Sequence, residues 1–501
     1  MKPKHIAYII WTVIALLGVI SSVVPNGGWH IGKWNLRFPT LVDVLELQTV
    51  DSLQLTIDTL LLAEADTTIM ITNTTPQTAN ASETSQQRED IVGKESEIIV
   101  RGEAETKTIN THINNTTPQG TAENVDTRAY LAAFYTALDS TSNMPVRVVH
   151  YGDSQIEEDR ITNVLREHWQ KQYGGGGIGL IPLHQTIPTR TIRQRLSINN
   201  VVQTAQGGPK RYLVYGPRSM RLSNDDYGVM GQVAIMNSTL VTGSEDIVIN
   251  IEPIDHKRKP HNYFNRVRLL TDSISGYIMV QDTILPPATQ SYTTVHYTLP
   301  DSTTKCEIHL QGKGKVYGIS LETPTGVIVD NIPMRGCSGN IFTKIDSVQL
   351  SDFYRETNTR LIILQFGGNM IPQTANPSTI SGYVRSTLRQ QVRYLRACAP
   401  EASILFIGPS DMSTRIDGEM VTYPLVPYMD RLLKKMAEEE QIAYWSMYDA
   451  MGGQNSMVKW VEIGWAGSDY VHFTRAGANK VGKMLYDWLM NYQPQPLNAN
   501  L

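Results

Sequence analysis

Two stretches of this 501-residue chain alternate short apolar runs with helical patterns, and the stretch between them does not. Residues 127–189 open with Tyr130, Leu131, Phe134 and Leu138 at helical spacing, then give a β-rich run at 144–151 and a helical pattern over 155–170. Residues 331–492 carry buried-strand runs at 361–366 and 403–407, with helical patterns at 383–397, 428–440 and 476–490. Strands separated by helices build a parallel sheet, because each parallel pair needs a long crossover. Residues 190–330 show instead period-two segments such as 246–251 and 305–310, with turn residues between them and no helical pattern. The spacing predicts an α/β domain with a parallel sheet, interrupted by an inserted β-sandwich that enters at a surface loop.

At the amino end, residues 6–24 form an uncharged apolar run preceded by Lys2 and Lys4. A helix of that length nearly crosses a bilayer core, and the lysines favour the cytoplasmic side. Ser21, Ser22, Val23, Val24 and Pro25 offer no small-residue cleavage pattern, so residues 1–24 read as an uncleaved anchor in preference to a cleaved signal. The expectation is a body anchored to the inner membrane and facing the periplasm, or secreted if the segment is cut. Residues 51–126 are rich in Thr, Asn, Gln and Glu, with Asn-Thr-Thr-Pro at 73–76 and again at 115–118. They bury too little apolar area to offset chain entropy, so 25–126 reads as a flexible stalk.

Charge narrows the partners. Against 48 Asp and Glu stand 44 Lys and Arg, a formal −4, so no global basic field exists to condense on nucleic acid. Cys306, Cys337 and Cys398 are far apart, and the histidines form no H-x-x-x-H pair, so neither a disulfide framework nor a metal site is expected.

Gly152-Asp153-Ser154 directly follows the run 144–151 and precedes a helical pattern. A serine there is presented at the carboxyl edge of the sheet, where its own amide and the helix dipole can stabilise an oxyanion. Ser154-x-x-Glu157 is equally a capping box, so this segment alone leaves structure and catalysis open. Asp469 and His472, three positions apart, can pair so that the carboxylate fixes the imidazole tautomer, or can simply fix a loop. Gly367-Gly368-Asn369 follows the run 361–366, and Gly336 offers a backbone amide. Amide donors of this kind are what an acyl-transfer oxyanion needs.

In these segments the chain resembles the SGNH hydrolase superfamily, the GDSL-type esterases, over a flavodoxin-like body that excludes the insertion. Its G-D-S block matches Gly152-Asp153-Ser154, its G-x-N block Gly367-Gly368-Asn369, its D-x-x-H block Asp469 to His472, and its remaining glycine Gly336. The resemblance implies Ser154 as nucleophile, His472 as general base and Asp469 as its orienter, with Gly336 and Asn369 in the oxyanion hole and no cofactor. Gln155 departs from the Leu common in lipolytic members, so a lipid substrate is not implied. The β insertion and the stretch 460–472 are similar to peptidoglycan O-acetylesterases, whose inserted domain resembles a carbohydrate-binding module. The domain plan is then 127–189 and 331–492 for the hydrolase and 190–330 for the insertion.

The implied function is a serine esterase acting on an acetylated envelope polysaccharide, peptidoglycan foremost. An O-acetyltransferase on the same triad and a non-catalytic glycan-binding protein are the rival readings. With the triad outside the insertion, the sandwich is expected to recruit polymer and to be dispensable for small esters. The glycine run 174–177 reads as a flexible turn beside the site, and the basic run 256–261 as a solvated loop. Tyr212, Tyr215, Tyr227, Tyr263 and Phe264 divide between core packing and stacking on sugar rings.

Overall fold

A computed structural model describes residues 29–31, 34–36 and 126–492, except 205–206, 237–245, 256 and 287–292. The expected anchor at 1–24 and nearly all of the expected stalk lie outside the described residues. Among the described residues no helix is long and apolar enough to cross a membrane.

Five parallel strands form the central sheet: β1 (Pro145–Gly152), β2 (Gly326–Pro333), β3 (Thr359–Gln365), β4 (Ser403–Ile407) and β5 (Ala443–Trp445). Their spatial order is β2-β1-β3-β4-β5. This is a doubly wound order, in which the loops leaving β1 and β3 diverge and open a crevice at the carboxyl ends of the strands. The packing helices are α1 (Thr162–Tyr173), α2 (Ser347–Glu356), α3 (Arg389–Cys398), α4 (Val426–Glu439) and α5 (Arg475–Met490). Period-two alternation sends Val146 and Val148 of β1 into one core with Trp169 and Leu485, and Val149 and Tyr151 into another with Leu180 and Phe353.

The expected helix over 155–170 is broken. Residues Ser154–Asp159 make a short, kinked 3₁₀ stretch, and α1 starts only at Thr162. Glu158 and Asp159 stand at φ of 59° and 61°, a strained choice that ion pairs sustain. Glu158 meets Arg160 and Arg190, while Arg166 reaches Asp159 at 2.5 Å and Thr191 donates to the same carboxylate at 3.1 Å.

Between α1 and β2 the described residues form two antiparallel sheets of six strands each. The expected segments 246–251 and 305–310 are neighbours in one of them, with Cys306 opposite Ile251 and Leu310 opposite Ile247. Ile249, Ile251, Val267, Leu269, Ile308 and Ile319 belong to the core these strands share. The antiparallel strands span a little more than expected at one end and less at the other: Gly179–Ile181 already pairs with Gly314–Glu322, and β2 begins at Gly326.

The glycine run is a tight contact and not a flexible turn. A Cβ at Gly177 would lie 2.0 Å from the Leu321 carbonyl oxygen, and one at Gly176 2.2 Å from that of Tyr263. Glycine is required there because backbone meets backbone.

A buried ionic seam joins parallel and antiparallel strands. Arg147 of β1 bonds Asp330 of β2 at 2.7 and 2.8 Å and also Glu322, which pairs in turn with Arg268 at 3.0 Å. The Leu180 amide donates to Asp330 at 2.8 Å. Burial raises the Asp330 carboxyl against the pull of Arg147, while at Glu322 Arg147 and Arg268 together outweigh burial and lower it.

Candidate active site

The ends of three strands fix the serine segment. Met334 N donates to Gly152 O at 2.7 Å, and Asp153 N to Gln365 O at 3.3 Å, so the turn after β1 is held between β2 and β3. The Asp153 side chain, not Ser154, caps the following turn by accepting from Gln155 N at 2.9 Å. The capping-box reading of Ser154 is therefore wrong for this chain, and its hydroxyl is free for other work.

That hydroxyl meets His472. Ser154 Oγ lies 2.8 Å from His472 Nε2, and His472 Nδ1 lies 2.7 Å from Asp469 Oδ2. Asp469 Oδ1 accepts from the amides of Val471 and His472, each at 3.1 Å. A carboxylate so placed holds the proton on Nδ1 and leaves the Nε2 lone pair facing the serine. Burial pushes the Asp469 carboxyl up, but its bonds to the His472 ring and to the two amides outweigh burial and bring it down to about 2.

The loop carrying the pair is built on aromatic packing. Trp460 lies edge-on to Trp465 at 5.2 Å and against Phe473 at 5.4 Å, with Thr474 capping α5 just beyond. Gln155 ties this loop to the serine segment: its Nε2 donates to Val471 O at 2.7 Å and to Ser410 Oγ at 3.3 Å.

The two expected oxyanion donors, Gly336 and Asn369, line the same cleft as Ser154. Gly336, at φ 72°, occupies the third position of a turn closed by Cys337 N and Met334 O at 3.0 Å, and its own amide stays outside that closing bond. Asn369 stands in the short turn after β3, with Nδ2 at 3.1 Å from Cys337 O and 3.3 Å from Asp153 Oδ2. Both Nδ2 hydrogens are thus engaged locally, so the amide reaches an oxyanion only by giving up the longer of these bonds, that to Asp153. Burial pushes the Asp153 carboxyl up to about 6, against the bond it accepts from the Gln155 amide. Sequence reasoning missed Asp153 and Gln155 as parts of the site, although the departure at Gln155 was a signal.

All five expected site residues line one cleft of about 910 Å³. Its far wall comes from the antiparallel strands and their connections: Ile178, Leu180, Leu213, Tyr215, Met220 and Met230. Leu213, Tyr215, Met220 and Met230 of this wall lie within the expected insertion 190–330, so that segment lines the cleft although it carries none of the five expected site residues. Of the aromatics, Tyr215 lines the cleft, while Tyr227 and Phe264 are buried in the cores. Among the described residues no group of three His, Cys, Asp or Glu side chains is arranged to hold a metal ion.

Residues 301–480 match the model of the GDSL-like Lipase/Acylhydrolase family. The match begins well after Ser154, which the fold returns to His472 across 318 positions. Among solved structures, the chain is similar to "Peptidoglycan O-acetylesterase in action, 5 min", with 21% identity and a TM-score of 0.56 over 74% of this chain and 96% of that one. It also matches an acetyl xylan esterase, AlAXEase, at 12% identity over 32% of this chain and 80% of that one, with a TM-score of 0.26. A family two carbohydrate esterase from Cellvibrio japonicus matches at 10% identity over 60% and 99%, with a TM-score of 0.23. Among proteins of curated function no match was found.

Proposed function

We propose that the chain is a serine esterase that removes O-acetyl groups from a cell-envelope polysaccharide, peptidoglycan foremost, a reading supported by the match of residues 301–480 to the GDSL-like Lipase/Acylhydrolase model. The observation that carries this reading is the linked chain from Ser154 Oγ through His472 to Asp469 at the wall of a large cleft. The fold shared with a peptidoglycan O-acetylesterase supports the substrate class. The uncharged run at 6–24 is taken as the anchor that brings the enzyme to that envelope.

In this mechanism His472 Nε2 takes the Ser154 proton as Oγ bonds to the ester carbonyl carbon. The amides of Ser154 and Gly336 and the side chain of Asn369 hold the negative oxygen, which is where charge develops. Collapse breaks the bond to the sugar oxygen, which leaves with the proton from His472. Water, deprotonated by the same imidazole, then attacks the acetyl-serine; the bond to Oγ breaks as His472 returns the proton to it, and acetate departs.

The test is acetate release by the full chain from O-acetylated peptidoglycan beside acetylated xylan, with and without acceptor glycan. Faster release from peptidoglycan that matches total acetyl loss is expected. Acetyl recovered on the acceptor would make the protein a transferase, and no release from either polymer would end the reading.

A further inference from the structure

A second hollow of about 350 Å³ opens on the antiparallel sheets. Pro182, Thr186, Arg211, Met220 and Gln232 line both this hollow and the catalytic cleft, so one groove runs from Ser154 onto the sheets. The two parts differ in charge. Asp153, Glu157, Glu158, Asp159 and Asp469 line the cleft beside Arg166, Arg211 and Arg335, whereas the hollow is lined by Lys210 and Arg211 and, among the described residues, by no carboxylate.

Most other cations around the groove are already matched. Arg160 and Arg190 meet Glu158, Arg166 meets Asp159, and Lys315 meets Asp226 at 2.6 Å. In the basic run near 256–261, Lys259 bonds Glu167 at 3.2 Å and His261 is buried. Arg335 on the cleft wall acts on Glu157 without an ion pair, and burial still raises that carboxyl. Among the described residues Arg211 and Lys210, like Arg335, make no ion pair, and the first two stand where the second hollow opens. They stand on Lys210–Leu213, the edge strand of its sheet, and among the described residues no carboxylate pairs with either. Lys210 Nζ rests over the Tyr212 ring at 4.8 Å, and the half-buried Arg211 faces the passage between the two hollows.

We propose that Arg211, seconded by Lys210, is an anion subsite that receives a carboxylate on the sugar chain bearing the ester. A half-buried guanidinium facing a groove gains most from a planar anion that it can bind through two hydrogen bonds. The subsite rests on the glycan-esterase reading above and adds that the preferred glycan is acidic. The acetyl group goes to Ser154, and the carboxylate lies on the part of the substrate that is released as alcohol. Binding there lowers KM, because the contact is the same in ground and transition states.

The test compares O-acetylated N-acetylmuramic acid with O-acetylated N-acetylglucosamine, which differ by a lactyl carboxylate, using 4-nitrophenyl acetate as a reference ester. The full chain is expected to prefer the muramyl ester in kcat/KM by about tenfold or more, the scale of a charged hydrogen bond. Arg211→Gln should bring that ratio near one by raising KM for the acidic ester, and Arg211→Lys should restore part of it. Equal efficiency on the two sugar esters in the unaltered protein overturns the subsite and leaves the glycan-esterase reading standing. An unchanged ratio in Arg211→Gln also overturns it. Turnover of 4-nitrophenyl acetate with neither sugar ester cleaved overturns the glycan reading, and the subsite with it.

Discussion

Gln155 Nε2 donates to the Val471 carbonyl at 2.7 Å, so the residue after Ser154 holds the backbone one position before His472. The two halves of the proposed triad come from loops 318 positions apart, and this bond ties one loop to the other. Gln155→Leu, which installs an apolar side chain of similar length, removes it. The expected result is a fall in kcat of about 10- to 100-fold with KM little changed, since small misplacements of reacting groups cost that much. Steady-state kinetics on 4-nitrophenyl acetate decide the matter. A raised KM with unchanged kcat would make Gln155 a substrate contact instead.

Asp469→Asn should be nearly as damaging as loss of the base. The amides of Val471 and His472 pin Oδ1, so the asparagine carbonyl takes that place and its NH₂ faces Nδ1. The imidazole must then carry its proton on Nε2 and can no longer accept from Ser154. A loss of roughly 10³–10⁴ in kcat is expected, with KM intact. The same carboxyl gives a pH signature. It is lowered from 3.8 to about 2, so its stabilising effect is present above about 3.8 and is lost as pH falls through about 2. The difference in Tm between the unaltered protein and Asp469→Asn should therefore close in that window.

Ser154→Ala separates chemistry from folding. Because Asp153 caps the turn, removal of Oγ costs only its bond to His472, and stability should shift by no more than about 0.5 kcal/mol. Turnover should fall by roughly 10⁴–10⁶. Reaction with a fluorophosphonate probe, followed by mass spectrometry, should disappear in the variant. Labelling that persisted would place the nucleophile elsewhere.

Asp153 gives the opposite pH behaviour from Asp469. Its carboxyl is raised from 3.8 to about 6, chiefly by burial, so the stabilising effect is present below about 3.8 and is lost as pH rises through about 6. Asp153→Asn should thus be the more stable protein above that pH, by on the order of 2–3 kcal/mol at most. It should also be slow. An NH₂ at position 153 turns the Asn369 amide around, breaks its bond to Cys337 O and takes its donor from the oxyanion, for a loss of roughly 10²–10³ in kcat. Thermal melts from pH 4 to 8 beside kinetics at pH 8 test both halves. A variant as fast as its parent would remove Asn369 from the oxyanion hole.

Local signals made part of this legible. The strands at 359–365 and 403–407 announced themselves through short apolar runs and that at 145–152 through its β-rich composition, and the serine, asparagine and histidine segments kept the order their resemblance requires. What stayed hidden depends on distant partners. The break at Glu158 and Asp159 rests on Arg190 and Thr191, whose positions no local periodicity encodes. Residues 174–177 look like a flexible turn in sequence because glycine marks turns and close packing alike, and only the nearness of Leu321 and Tyr263 tells them apart. The three-residue strand at Ala443–Trp445 is too short to show a period at all.

The same dependence on distant partners decides what the antiparallel strands do for the enzyme. Replacing 190–330 by a linker deletes Glu322 and Asp330 together, which leaves the fully buried Arg147 guanidinium without its carboxylates and cuts into β2. It also removes the far wall of the cleft at Leu213, Met220 and Met230. Activity on a small soluble ester should therefore be lost along with the fold, contrary to what a freely attached recruiting module would show. Point variants make the test cleaner. Asp330→Ala strands part of Arg147 and the Leu180 amide, and should cost about 3–5 kcal/mol in urea unfolding, the scale of breaking a buried pair. Its folded fraction should keep its kcat at low temperature, since no group of the seam touches Ser154 or His472. A loss below about 1 kcal/mol, the value typical of exposed pairs, would mean that the seam does not couple the two sets of strands and that they could be separated after all.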